Sequence, residues 1–66
     1  MSVAKVVEIS AASSKSFEDA IKKGIAKTAG TVDNIEGAWI KEQKVVVKNG
    51  EVKEYRVDMK VTFIVK

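Results

Sequence analysis

Residues 51–66, EVKEYRVDMKVTFIVK, alternate in polarity along most of their length. Tyr55, Val57, Met59, Val61, Phe63 and Val65 hold the odd positions, and Glu54, Arg56, Asp58, Lys60 and Thr62 the even ones. A repeat of two is that of a β-strand, whose successive side chains point to opposite faces of a sheet. A helix would scatter the same apolar residues around its circumference. The stretch is therefore read as a strand with its odd face in a core and its even face against something polar. The upstream chain is read as supplying a partner for one face of it.

The 66 residues bound what that partner can be. A chain of this length makes one small domain, here residues 1–66, and buries only about 60% of the surface its unfolded form exposes. There is no cysteine and no histidine. Disulfides and thiolate ligands are excluded, and so are the commonest general base and the commonest zinc ligand. Oligomerisation remains as the way to bury more apolar surface. The charge is mixed, 12 basic against 9 acidic residues, with opposite signs close together along most of the chain. No run approaches the roughly 20 apolar residues of a membrane span. The opening MSVAKVVEIS lacks the features of a secretory signal, so the cytoplasm is the expected location.

Working back from the last strand, Lys48-Asn49-Gly50-Glu51 reads as a hairpin turn, because Asn-Gly tolerates the positive φ values of a type I′ turn. It joins the last strand to a second strand, Gly37 to Lys48, preceded by a connector from Thr31 to Glu36. Phe17 to Ala29 reads as a helix, with Phe17, Ala20, Ile21, Gly24, Ile25 and Thr28 forming one stripe of small volume. Ser16 is its expected N-cap, with Glu18 and Asp19 at the positive dipole end, and Gly30 its expected left-handed C-cap. Val3 to Ser10 reads as a short first strand of ambiguous face, and Ser10 to Ser16 as a polar connection. The expected fold class is α+β: β-α-β-β, a three-stranded antiparallel sheet in the order 1-3-2 against one helix.

One helix covers one face of such a sheet. In the second strand the parities compete, with Ala38 and Ile40 on one side and Trp39, Val45 and Val47 on the other. Some of these apolar residues must meet solvent or another subunit, and this predicts a homo-oligomer.

Three stretches, VAKVVEIS, SSKSFEDAIKKGIAKTAGTVDNIE and YRVDMKVTFIV, cover nearly the whole chain and resemble the dodecins. These are small β-α-β-β proteins that assemble into hollow homododecamers and, in many members, hold flavins. The resemblance implies a cofactor-sequestering shell without catalysis, its cofactor FMN, FAD or riboflavin; some dodecin-like proteins lack flavin and are thought to do something else, including binding metal ions. In flavin-binding members a tryptophan after the helix connector stacks on the ring, and a glutamine after the last strand's aromatic residue meets the ring edge. Laid without gaps, these positions fall on Gly37 and Arg56. Trp39, two residues on and on the same strand face as Gly37, is the candidate to serve the pocket from a shifted place. Arg56 is a candidate donor to a flavin carbonyl or phosphate, and Asp58 is the acid beside it.

Each candidate has a plainer reading. Trp39 is also the kind of residue found in subunit interfaces. Arg56, Asp58 and Lys60 also suit cross-strand or intersubunit ion pairing, Arg56 with Asp58 among the choices. Glu42 and Gln43 are candidate oxygen ligands for a hard cation, which needs six or more such atoms, and no loop carries an EF-hand pattern. Ser10, Ser13, Ser14 and Ser16 read as loop and cap. Basic residues are dispersed, and a single tryptophan and tyrosine offer little stacking, which argues against nucleic acid. No acid–base–nucleophile set is available, so an enzyme is not expected.

Overall fold

The computed structural model describes residues 3–66. Its elements run β1 (Val3–Ser13), α1 (Phe17–Ala29), β2 (Ile35–Lys48) and β3 (Glu51–Val65). The sheet order is β1-β3-β2, and β3 pairs antiparallel with both neighbours. This is the expected β-α-β-β layer.

The alternation of β3 sets the core. Val57, Met59 and Val61 are buried beneath Ala20 of the helix, with Val7, Ile9, Ala11, Phe17, Ile21, Ile25 and Ile35 packed around them. The first strand's face is thereby settled, with Val7, Ile9 and Ala11 on the helix side. Phe17 meets Tyr55 edge to face at 5.1 Å. Ser16 caps the helix as read, its hydroxyl accepting from the Asp19 N–H at 2.9 Å.

Four local expectations need correction. The first strand does not stop at Ser10 but continues to Ser13, because Ser10 to Ser13 pair with Asp58 to Tyr55 and satisfy that length of β3. Ser13 is accordingly no loop residue: it is buried, donates its hydroxyl to the Asp19 carboxylate and accepts from the Lys15 N–H. Gly30 is right-handed, with φ −72°, and the helix ends through bonds from the N–H groups of Gly30, Thr31 and Val32 to the last carbonyls. Asn34 takes the positive φ instead, at 60°. Its carbonyl accepts from the Ile64 N–H at 3.0 Å, and β2 begins at once, two residues earlier than read.

The fourth correction matters most for the site. Ile40 stands opposite Met59, but Glu42 stands opposite Asp58, so Lys41 is one residue too many for the ladder. This bulge reverses the parity of β2. Val45, opposite Tyr55, shares the helix side with Ala38 and Ile40 rather than the Trp39 side. At the other end Asn49 and Gly50 have φ values of 51° and 75°, as the hairpin turn requires.

The helix packs on β1 and β3 and leaves β2 almost bare. Ile40, Val45 and Val47 are exposed, and on the far side of the sheet so are Val6 and Trp39. No helix among the described residues is long and apolar enough to cross a membrane.

Candidate functional site

The sheet face away from the helix is uncovered, and its side chains form successive rungs across the three strands. Val6, Thr62 and Gly37 share one rung; Glu8, Lys60 and Trp39 the next; then Ser10, Asp58 and Glu42; then Ala12, Arg56 and Lys44. Each rung is a row of cross-strand neighbours, and successive rungs on one face lie about 7 Å apart.

All four residues singled out from sequence therefore share one face. They do not share one cavity. Arg56 and Asp58 lie in a cleft of about 430 Å³ together with Ser10, Ala12, Glu42 and Lys44. Trp39 and Gly37 lie further along the strand, outside its lining. Trp39 is 77% exposed, and a Cβ on Gly37 would have no atom within 4 Å. Arg56 does not pair with Asp58. Its Nε donates to Glu54, two residues earlier on the same strand face. Asp58 instead accepts from the Ser10 hydroxyl at 2.7 Å. Lys41, the bulge residue, reaches Glu8 at 3.1 Å across β3, and the Glu8 carboxylate holds the Lys41 ammonium above its ordinary range.

Strand alternation separates Glu42 from Gln43 as a ligand pair. Glu42 joins the uncovered face, while Gln43 stands opposite Val57 on the helix side. Among the described residues no group of three or more acids is close enough to hold a metal ion. Lys44 has no role in the sequence reading, and Ser10 is read there only as loop and cap. Ser10 was hidden by reading the strand as ending there, and Lys44 by the parity that the bulge reverses.

The fold is thus a β-α-β-β layer backed by one helix, with its other face open, polar and cleft. The chain belongs to the dodecin family: the family model described as Dodecin matches residues 3–66. Its backbone superposes on a crystal structure of a point-mutant dodecin from Thermus thermophilus with a TM-score of 0.94 at 29% identity, covering 100% of this chain and 98% of that one. A dodecin from Streptomyces davaonensis gives 0.93 at 25% identity, covering 98% and 96%. A calcium dodecin from Mycobacterium tuberculosis, described as calcium-chelating with a novel calcium-binding site, gives 0.83 at 31% identity, covering 97% and 91%. A comparison with the curated proteins finds no match. Dodecins are non-catalytic small-ligand-binding proteins that form homododecamers, and some members bind flavins.

Proposed function

We propose that this chain assembles into a homododecameric shell and sequesters a flavin against Trp39 without transforming it. One observation carries this reading: Trp39, 77% exposed, stands on the uncovered face of a dodecin fold. An aromatic side chain of that size, open on this face of the subunit, can stack on a planar ring, and stacking adds about 0.5–1.5 kcal/mol beyond area burial. Gly37 leaves the neighbouring floor open. Trp39 thus takes the role that flavin-binding dodecins give to the Gly37 position, from the same face. Arg56, in place of the family's glutamine, and Asp58 provide the polar contacts. Titration of FMN or riboflavin into the assembled protein is expected to quench flavin fluorescence, and Trp39→Ala to weaken binding about tenfold, the equivalent of 1.4 kcal/mol. Unchanged flavin fluorescence at micromolar protein would overturn the reading.

A second reading has one observation of its own. Glu42 and Asp58 face one another in register, two carboxylates that neighbouring copies could complete as an oxygen site for calcium, as the Mycobacterium relative's description invites. Native mass spectrometry of the assembly separates the two: calcium retained, with no flavin taken up, favours the second.

A further inference from the structure

The tip of the β2–β3 hairpin is thinly supported. β1 ends where Ser13 meets Tyr55, so beyond that rung β2 and β3 pair only with each other. Their register then breaks: Val46 stands opposite Glu54 but Val47 opposite Val52, and Lys53 has no partner in the ladder. Past the break, Val47 pairs with Val52 and Lys48 with Glu51, and Asn49-Gly50 closes the ribbon. A two-stranded ribbon alone is marginal in water, and opening such a segment costs a fraction of global unfolding. Asn49 and Gly50 are both exposed. Among the described residues the Gly50 N–H makes no bond to a backbone carbonyl, and a Cβ on Gly50 would have no atom within 4 Å. The backbone nitrogen that follows Asn49 is thus unengaged and unshielded.

We infer that Asn49 is a self-modification site, its side-chain amide attacked by the Gly50 backbone nitrogen with loss of ammonia. The Gly50 nitrogen gives its proton to solvent as it bonds to Asn49 Cγ. The Cγ–Nδ2 bond breaks, and Nδ2 takes up a proton and leaves as ammonia. Water then adds to either carbonyl of the cyclic imide and opens it to aspartate or to isoaspartate. Water is the only co-reactant, and nothing is oxidised or reduced. Opening of the tip brings Cγ onto the nitrogen. Aspartate can resume the positive φ of 51° that Asn49 holds in the closed turn. Isoaspartate lengthens the main chain by a methylene, and the tight turn no longer fits. Either product places a carboxylate near Glu51 and lowers the net charge of the chain below +3. Asn34, the other asparagine, is the internal contrast. Its carbonyl accepts from the Ile64 N–H at 3.0 Å, and its Nδ2 donates to the Ile64 carbonyl at 3.4 Å. The nitrogen after it belongs to Ile35, whose branched side chain crowds the approach.

Incubation of the assembled protein at neutral and at alkaline pH tests this, read by the masses of its tryptic peptides. Cleavage after lysine puts Asn49 in residues 49–53 and Asn34 in residues 28–41. The Asn49 peptide should gain the mass of an amide turned to an acid at least about tenfold faster than the Asn34 peptide. Its rate should rise at alkaline pH, where more of the attacking nitrogen is deprotonated. Asn49→Gly with Gly50→Asn keeps two residues that accept positive φ, but places the asparagine before the nitrogen of Glu51, which pairs with Lys48. In this exchanged pair conversion should fall at least about tenfold, with an unchanged melting temperature as the check on folding. Equal, slow conversion of Asn34 and Asn49 in the wild type overturns the inference, whether the tip stays shut or neighbouring copies cover it. Undiminished conversion in the exchanged pair overturns it too, because the free Gly50 nitrogen would then not be the cause.

Discussion

A Cβ added at position 24 would lie 2.7 Å from Met59 Cε and 3.0 Å from Ala11 Cβ. The first of these neighbours can swing away; the second is fixed to the strand. Overpacking of this kind costs about 1–3 kcal/mol, while alanine returns about 1 kcal/mol of helix propensity. Gly24→Ala is therefore expected to destabilise the protein by about 1 kcal/mol, seen as a lower urea midpoint at constant slope. A raised midpoint would mean that the helix has room to lift off the sheet. A second single-residue effect concerns pH. The Ser13 hydroxyl first, and Lys23 next, hold the Asp19 carboxyl below its ordinary 3.8. A depressed folded-state value contributes stability that is present above pH 3.8 and is lost as pH falls through the lowered value. Ser13→Ala should raise the Asp19 titration, followed by carboxyl-carbon NMR, and move acid unfolding to higher pH. An unmoved titration would assign the shift to the lysine alone.

At the scale of elements, β3 has one dry face and one wet face. Met59 is buried and its neighbour Lys60 points the other way. Met59→Asp should abolish folding, because an isolated buried carboxylate cannot be accommodated, whereas Lys60→Asp should keep the fold and alter ligand binding or assembly. Comparable unfolding by both, in far-ultraviolet circular dichroism, would reverse the faces assigned here. The same alternation explains why β3, the helix, the turn at Asn49-Gly50 and the sheet order were legible in the sequence: each depends on a local period or a local φ requirement. The end of β1 was not legible, since Ala11, Ala12 and Ser13 have no strand signature and are strand only because β3 extends beside them. Nor was the left-handed position after the helix, where a glycine was available and an asparagine was used. The Lys41 bulge was invisible for a similar reason, because it is a property of two strands in register and not of one. It hid Lys44 from the site and put Val45 on the wrong face, while the shared face of Gly37, Trp39, Arg56 and Asp58 survived because none of them depends on β2 beyond the bulge. Deletion of Lys41 should remove the bulge. Ile40 opposite Met59 and Glu42 opposite Asp58 then become consecutive rungs of an unbroken ladder, so Trp39 keeps its face opposite Lys60 and flavin quenching is expected to persist. Loss of quenching in a deletion variant that still folds would show that the bulge itself shapes the site.

The whole molecule is open for its size. Its accessible surface is 4976 Å², where a compact chain of its mass exposes about 4,100 Å². The radius of gyration is 13.6 Å against about 11 Å for a globular chain of this length. The excess, roughly 800–900 Å², matches the area one partner contributes to a standard interface. Among the described residues the largest side chains buried outright are Met59, Val57 and Val61. Ile40 and Val45, which the bulge places together on the helix side of β2, lie beyond the helix and stay exposed. Neighbouring copies are expected to cover this edge, and a fold with so small a core would then owe part of its stability to assembly. The native mass should accordingly lie far above 7.2 kDa, and the melting temperature should rise with protein concentration, as mass action requires when only the folded state associates. Ile40→Asp with Val45→Asp leaves the buried cluster of Val57, Met59 and Val61 untouched. This pair should melt at a lower temperature that no longer depends on concentration. An assembly of undiminished mass in that variant would show that β2 is not where the copies meet, and that the bulge serves the ligand face alone.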